Sequence, residues 1–262
     1  LNDSKSFSIV IPIYNTGKFL DFSVRSLFEQ SLDFQDNAEL ILVNDGSTDN
    51  SGEICQRLVK KYPNNITYAY QNNGGVSSAR NLGISLAQDE WIGFLDPDDA
   101  YSFNTLAEVK KSIEAFPNID LFSLPMFSFE RERKSHRLNF KFGRVNRNNI
   151  IKKASSLNYG VSETKTRIID INDEPESIQL SSASTFIRKS LLKNNPFPEK
   201  LSVGEDMVLL NRLFSRISQY GVLPNVIYYY RKRYDRSSIM DNIGIRAEIC
   251  TLYEESDVGG NS

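Results

Sequence analysis

A chain of 262 residues with a formal net charge of -2 has room for one large domain, or for a domain with a small subdomain, and offers no general field for nucleic acid. Its 40% hydrophobic and 24% charged residues are those of an ordinary globular protein, which excludes a disordered chain. No apolar run approaches bilayer length, and Cys55 and Cys250 fit neither a zinc nor a redox spacing, so reduced thiols in a cytoplasmic protein are expected.

The start, "LNDSKSFSIV", lacks the basic end and long apolar core of a signal peptide. A start without methionine is expected of a piece of a longer protein. Peripheral association with the inner face of a membrane, where it occurs, is therefore expected through parts outside this chain.

In chain order, "FSIVIPIY" is β-rich and "FLDFSVRSLFEQS" carries apolar residues at helical spacing. "ELILVND" and "SGEICQRLVKKY" repeat the pair. "ITYAYQ", "SSARNLGISLA", "WIGFL" and "FNTLAEVKKSIEAF" continue the alternation. Four β-α units in succession predict a mostly parallel sheet with helices on both faces, and the continuous apolar strands fit burial on both sides. After "DLFSLPMFSFE" the pattern breaks into the charged "RERKSHR" and a polar region to about Glu176. "SASTFIRKSLL" restores apolar and β-branched residues, "EDMVLLNRLFSRI" predicts a helix, and "VLPNVIYYYRKRY" a strand.

Ligands of open α/β sheets sit beyond the carboxyl ends of the strands. Those ends carry "PIYN", "NDGSTD", "QNNGG" and "DPDD", which gathers Asp45, Asp49, Asn72, Asp96, Asp98 and Asp99 on one rim. Asp96, Asp98 and Asp99 within four positions repel one another unless solvent, a cation or a helix N-terminus offsets the charge. A turn in which Asp99 or Ser102 caps the helix beginning near Phe103 is the competing account. A carboxylate pair with Mg²⁺ or Mn²⁺ is a standard way to hold a diphosphate, because the ion accepts oxygens from protein and phosphate together. Asp49 fits a cap for the second helix better than a ligand, and Gly74-Gly75 lacks the G-x-G-x-x-G spacing of a dinucleotide loop.

Six stretches, "SIVIPIYN", "LILVNDGSTDNSG", "NGGVSSARNLGI", "WIGFLDPDDAY", "STFIRKSLL" and "VGEDMVLLNRLF", occur in the order found in family 2 glycosyltransferases, and over about the first 215 residues the chain resembles that family. The resemblance implies an α/β GT-A fold, Rossmann-like, with a smaller C-terminal acceptor-side region. It divides the chain into a nucleotide-sugar-binding half at 1–125, an acceptor-side half with the base at 126–230, and a basic tail with a terminal helix at 231–262.

It further implies a metal-dependent inverting transfer, of hexosyl or N-acetylhexosaminyl type, from a nucleotide sugar, probably UDP-linked, to a hydroxyl of a cell-surface glycan, a polyol or a related polymer. Pro12, Tyr14 and Asp45 would line the base and ribose pocket, with Asp45 accepting from the uracil imide. Asn72 and Arg80 would fix the base or diphosphate side, Asp96 the ribose or metal shell, and Asp98 the metal, Mn²⁺ or Mg²⁺; Asp99 either touches sugar or caps. Asp206 would be the general base that takes the acceptor hydroxyl's proton, and Glu205 would orient donor sugar or acceptor. Helix-start acids complementing the dipole are the plainer account of that pair, and an ordinary surface helix residue is the plainer account of Arg80.

Two departures stand out. Asn44 sits where the family often has Asp, and no histidine follows the later strand, the sole His136 lying in the charged connector. Arg233 and Arg236, with Arg231 and Lys232, are candidates for a clamp on the diphosphate, against a solvated charge run. Two rival functions remain open on the residues alone: a catalytically inactive nucleotide-sugar or glycan-binding module of the same fold, and a phosphatase with an Asp nucleophile. Phosphatases usually place their Asp-x-Asp after the first strand, whereas here it follows the fourth.

Overall fold

The computed structural model describes residues 6–129, 165–174 and 180–231. Strand β1 (Phe7–Ile13) is an interior strand, third from the edge, of an eight-stranded sheet. It pairs in parallel with β2 (Ala38–Asp45) on one side and β4 (Trp91–Phe94) on the other, and β2 carries β3 (Ile66–Gln71) at the edge. The carboxyl ends of all four strands therefore open on one rim.

Beyond β4 the sheet continues with β9 (Thr185–Arg188), β6 (Leu121–Ser123), β10 (Gln219–Val222) and β8 (Arg167–Asp170). Strand β9 runs antiparallel to both neighbours, with Gly93 opposite Phe186 and Phe122 opposite Phe186. Its reversed direction puts the start of β9, rather than its end, beside the carboxyl end of β4. Segments from before and after residue 125 thus share one sheet.

Residues in β1 and β2 alternate between two cores, as the two-residue period of a strand requires. Ile9, Ile11, Leu40 and Leu42 face helices α1 (Gly17–Phe28), α3 (Ser51–Lys61) and α5 (Thr105–Ala115), through Leu20, Cys55 and Leu106 among others. Val10, Ile41 and Val43 face α4 (Val76–Leu86) and α7 (Glu205–Phe214), through Ala79, Leu209 and Leu213. Short helices α2 (Phe34–Asn37) and α6 (Lys189–Leu192) complete the helices among the described residues.

A second sheet orders β5 (Ala100–Tyr101), β11 (Tyr228–Arg231) and β7 (Met126–Phe129). Tyr228 is paired with Tyr101 across β5 and β11. The predicted long strand "VLPNVIYYYRKRY" is thus divided between two sheets. The break falls at Leu223-Pro224-Asn225, where a proline cannot donate to a ladder and the chain turns.

By contacts the chain divides into a unit of residues 1–127 with 137–230 and a small unit of 128–136 with 231–262. In the small unit the described Arg231 is buried and its guanidinium lies 4.6 Å from the centre of the Phe129 ring. Among the described residues no helix is long and apolar enough to cross a membrane.

Candidate active site

The loop after β1 and the loop after β2 are hydrogen-bonded into one structure. Asn15 adopts a left-handed φ of 51°, which asparagine tolerates better than most residues, and its Oδ1 accepts from the backbone N–H groups of Thr48 at 2.8 Å and Asp49 at 3.2 Å. Its own N–H donates to Ser47 Oγ at 3.0 Å. Asp49 accepts from Ser51 N–H at 2.9 Å and Gly17 N–H at 3.1 Å, so it ties the starts of α1 and α3 together, but the N-cap position expected of it is held by Asn50. Burial pushes its carboxyl up, but the bonds from Ser51 and Gly17 outweigh this and hold it below the usual carboxylate value.

Asp45, buried at the end of β2, accepts from Gln71 Nε2 at 2.7 Å and Gly74 N–H at 2.8 Å on Oδ1, and from Gly75 N–H at 2.9 Å on Oδ2. It therefore shapes the turn into α4. Gly75 has φ of 88°, a conformation that side chains rarely adopt, which explains glycine there. Pro12 is buried within β1, whereas Tyr14 is 50% exposed and Asn72 is exposed. Asn44 donates to the Tyr68 hydroxyl at 3.0 Å and accepts from Ser47 N–H at 2.9 Å, a donor-acceptor pair that an amide supplies and a carboxylate does not.

Arg80 is not a surface residue. It is 3% exposed in α4, and its guanidinium binds three acids from two other elements. Nη2 donates to Asp96 Oδ1 at 3.1 Å, and Nη1 donates to Glu205 Oε1 at 3.0 Å and to Asp206 Oδ1 at 2.9 Å. Burial alone would push the guanidinium down; Asp206, Asp96 and Glu205 more than reverse this, so it stays charged. Gly204, with φ of 80°, starts α7 abruptly and lets Glu205 and Asp206 lie together in its first turn.

The turn after β4 is braced from behind. Asp99 N–H closes it onto Asp96 O at 3.0 Å, and Ser23 Oγ donates to Asp99 O at 2.7 Å. Tyr228 donates to Asp99 Oδ2 at 2.6 Å and accepts from Asp96 N–H at 3.2 Å. Burial beside Asp99 and Asp96 pushes the Tyr228 phenol well above its ordinary value, so it remains a donor. Asp99 does not cap the following helix: the N-cap of α5 is Asn104, and Ser102 Oγ lies 2.9 Å from Thr105 Oγ1.

Asp96 is pushed above the usual carboxylate range by burial. Arg80 opposes the shift, while the charges of Asp98 and Asp206 add to it. One guanidinium thus faces more acid than it can balance. Asp98 itself is 7% exposed.

The fold accordingly brings Arg80, Asp96, Glu205 and Asp206 into direct contact, with Asp98 close enough to act on Asp96. Pro12, Tyr14, Asp45 and Asn72 occupy the ends of β1 to β3 on the same rim. Arg233, Arg236, Lys232, His136 and Cys250 lie outside the described residues. Three residues escaped the sequence analysis as site components: Asn15, Tyr228 and Ser182. Ser182 opens the 3₁₀ turn Ser182–Ser184 before β9 and donates to Asp206. Only Asn15 had a signal, its place directly after a strand in "PIYN"; the other two reach the site through an antiparallel strand and a second sheet.

Residues 8–191 match the family described as Glycosyl transferase family 2. The chain belongs to this family. Its mixed α/β architecture, with a large mostly parallel sheet, is the GT-A fold. Among relatives, it is 40% identical over 235 residues to the Bacillus subtilis (strain 168) minor teichoic acid biosynthesis protein GgaB, covering 89% of this chain and 24% of that protein. It is 34% identical over 238 residues to GgaA, also named a minor teichoic acid biosynthesis protein in that strain, covering 90% of this chain and 49% of the relative. The chain therefore spans about a quarter and about half of the lengths of these two relatives. The crystal structure of Staphylococcus aureus TarS 1-349 in complex with UDP aligns with a TM-score of 0.67 at 24% identity, over 87% of this chain and 60% of that one, a likeness of fold.

Proposed function

We propose that this chain is the transfer domain of an inverting glycosyltransferase that moves a sugar from a UDP-linked donor to a hydroxyl of a cell-wall polyol-phosphate polymer. The observation that carries the reading is the convergence on Arg80 of the acid after β4 with the two acids opening α7. An inverting transfer needs two neighbouring functions, one for the diphosphate and one for the attacking hydroxyl, and this contact joins candidates for both. The relatives' names support the acceptor class: GgaB and GgaA are teichoic acid biosynthesis proteins, and TarS, 26% identical over 226 residues, is named a poly(ribitol-phosphate) beta-N-acetylglucosaminyltransferase.

On this reading the first 125 residues bind donor, those from 126 to 230 serve the acceptor and carry the base, and the basic tail from 231 contributes Arg233 and Arg236 to the diphosphate. Tyr14, Pro12 and Asp45 surround base and ribose, and Asn72 borders them. Asp206 takes the proton of the acceptor hydroxyl as its oxygen bonds to the anomeric carbon. The carbon–oxygen bond to the diphosphate breaks on the opposite face, and UDP leaves with the electron pair. Glu205 orients sugar or acceptor. Arg80 keeps Asp96, Glu205 and Asp206 in register, which is a different task from the expected diphosphate contact.

A hard divalent cation suits the donor set. Asp96 and Asp98 offer oxygens, and the upward push on Asp96, from burial first and from the charges of Asp98 and Asp206 after it, is opposed by added positive charge. Among the described residues no group of three or more His, Cys, Asp and Glu side chains could hold a metal. Asp98 and Asp96 would therefore share Mn²⁺ or Mg²⁺ with the diphosphate and water. Such an ion, when bound, neutralises charge on the departing diphosphate. The cytoplasm suits a domain with a free Cys55 thiol that consumes a nucleotide sugar.

The test is thermal stabilisation by a panel of UDP-hexoses and UDP-N-acetylhexosamines with and without Mn²⁺, since a specific ligand raises apparent stability by mass action. A metal-dependent rise with one donor is the expected result. No rise with any donor contradicts the reading.

A further inference from the structure

Asp206 sits in the first turn of α7, yet the residue that dictates the plane of its carboxylate comes from another element. Because β9 is antiparallel to β4, the turn that precedes it arrives at the rim. Ser182, wholly buried there, donates twice to the same side chain: Oγ to Oδ1 at 2.6 Å and backbone N to Oδ2 at 3.1 Å. Two donors from one residue to the two oxygens of one carboxylate leave it no freedom to rotate.

Arg80 adds a third bond, but divides its charge among Asp96, Glu205 and Asp206. Its hold on Asp206 must change when the surroundings of Asp96 change. The bonds from Ser182 do not share that dependence. A hydroxyl has a single proton to donate, and that of Ser182 is committed to Asp206. The turn itself is fixed, with Ser182 O accepting from Thr185 Oγ1 at 2.7 Å and Ser181 O from Ser184 Oγ at 3.2 Å.

We propose that Ser182 is a positioning residue for sugar transfer, which engages Oδ1 of Asp206 and thereby presents Oδ2 to the acceptor hydroxyl. Oδ1 receives both Ser182 Oγ and Arg80 Nη1, at 2.6 and 2.9 Å, whereas Oδ2 receives one longer bond and keeps lone-pair capacity on a side chain 20% exposed. The proton therefore goes to Oδ2. The inference rests on the reading of Asp206 as the base.

Ser182→Ala is a selective test, because it removes the hydroxyl and keeps the N–H to Oδ2. With the donor that stabilises the parent chain, kcat should fall about tenfold or more, the scale of one hydrogen bond to a charged group. Donor KM and the UDP dissociation constant should stay within about twofold, which a general structural defect would not allow. In an Asp206→Ala background, adding Ser182→Ala should change residual turnover by less than about twofold, since coupled residues are non-additive. Should Ser182→Ala fail to fold, Ser182→Cys keeps the site filled, replaces a strong donor with a weak one and carries the same expectation.

A variant with the parent's kcat overturns the inference, as does equal loss of donor affinity or a full further loss in the Asp206→Ala background. A parent chain that binds UDP but transfers no sugar overturns the enzymatic reading and this one with it. A parent that transfers while Ser182→Ala matches it overturns this one alone.

Discussion

Arg80 Nη1 lies 2.9 Å from Asp206 Oδ1, joining residues 126 positions apart on helices that pack against the same face of the sheet. The contact makes Arg80, among the described residues, the positive charge shared by Asp96, Glu205 and Asp206. Arg80→Met should leave Asp96, Glu205 and Asp206 without it and cost about 3 kcal/mol, as breaking a buried ion cluster does. Arg80→Lys should fall between, because an ammonium cannot span three carboxylates as a guanidinium does. Urea unfolding of the three proteins checks the order; a Met variant as stable as the parent would remove the hub.

Asp98 is the candidate metal ligand whose charge is felt by Asp96. Asp98→Asn should weaken UDP binding in Mn²⁺ by about 1 to 3 kcal/mol, the range for losing a charged contact, and leave metal-free binding little changed. Calorimetry with and without Mn²⁺ decides this. Equal UDP affinity in the variant, or parent binding indifferent to metal, would end the role assigned to Asp98.

Asp49 gives a pH signature. Its folded value lies below the ordinary 3.8, so its ionised form stabilises the fold above that ordinary value and the contribution is lost as pH falls through the lower folded one. Asp49→Asn turns an amide donor toward the N–H of Ser51 or of Gly17. It should cost about 1 kcal/mol at neutral pH, typical of one lost hydrogen bond, with the difference from the parent vanishing in strong acid. Denaturant midpoints measured across that range test the sign; a difference that grows toward acid would reverse it.

Gly83 tests the packing of α4 on β1. An added Cβ would stand 2.3 Å from Val10 Cγ1. Replacing glycine by alanine in a helix normally gains about 1 kcal/mol, while overpacking a filled core costs about 1 to 3 kcal/mol, and so rigid a contact should let the second effect win. Gly83→Ala should unfold at lower urea than the parent. A higher midpoint would show that the helix can move off the strand.

Much of this was legible in the residues. The β-α alternation gave the order of β1 to β4 with their helices, because a buried parallel strand and an amphipathic helix each write their burial locally. The four strand ends, and with them Asp45, Asp96 and Asp98, followed from the same pattern. Arg80 was picked out, but its partners were not: nothing near "SSARNLG" reports that Glu205 and Asp206 lie against it. Ser182 was hidden for a related reason, since its place depends on β9 being antiparallel to β4, and strand direction is a tertiary property. Tyr228 falls in the predicted strand "VLPNVIYYYRKRY"; its hydroxyl bracing Asp99 depends on β11 pairing with β5 outside the main sheet. All three bonds to Asp206 arrive from donors, so an asparagine amide must face at least one of them, and Asp206→Ala is the cleaner variant.

The central claim is that this domain transfers sugar with Asp206 as base, and UDP release measured against acceptor tests it most directly. Parent and Asp206→Ala would be compared with the UDP-sugar found by thermal shift, in Mn²⁺, with poly(ribitol phosphate), poly(glycerol phosphate) or water alone. The parent should release UDP only with a polymer acceptor, and the variant should bind UDP as the parent does yet turn over roughly 10²- to 10⁴-fold more slowly, the usual worth of a positioned base. A parent that binds donor and releases no UDP with any acceptor, or a variant that transfers at the parent's rate, would contradict the account.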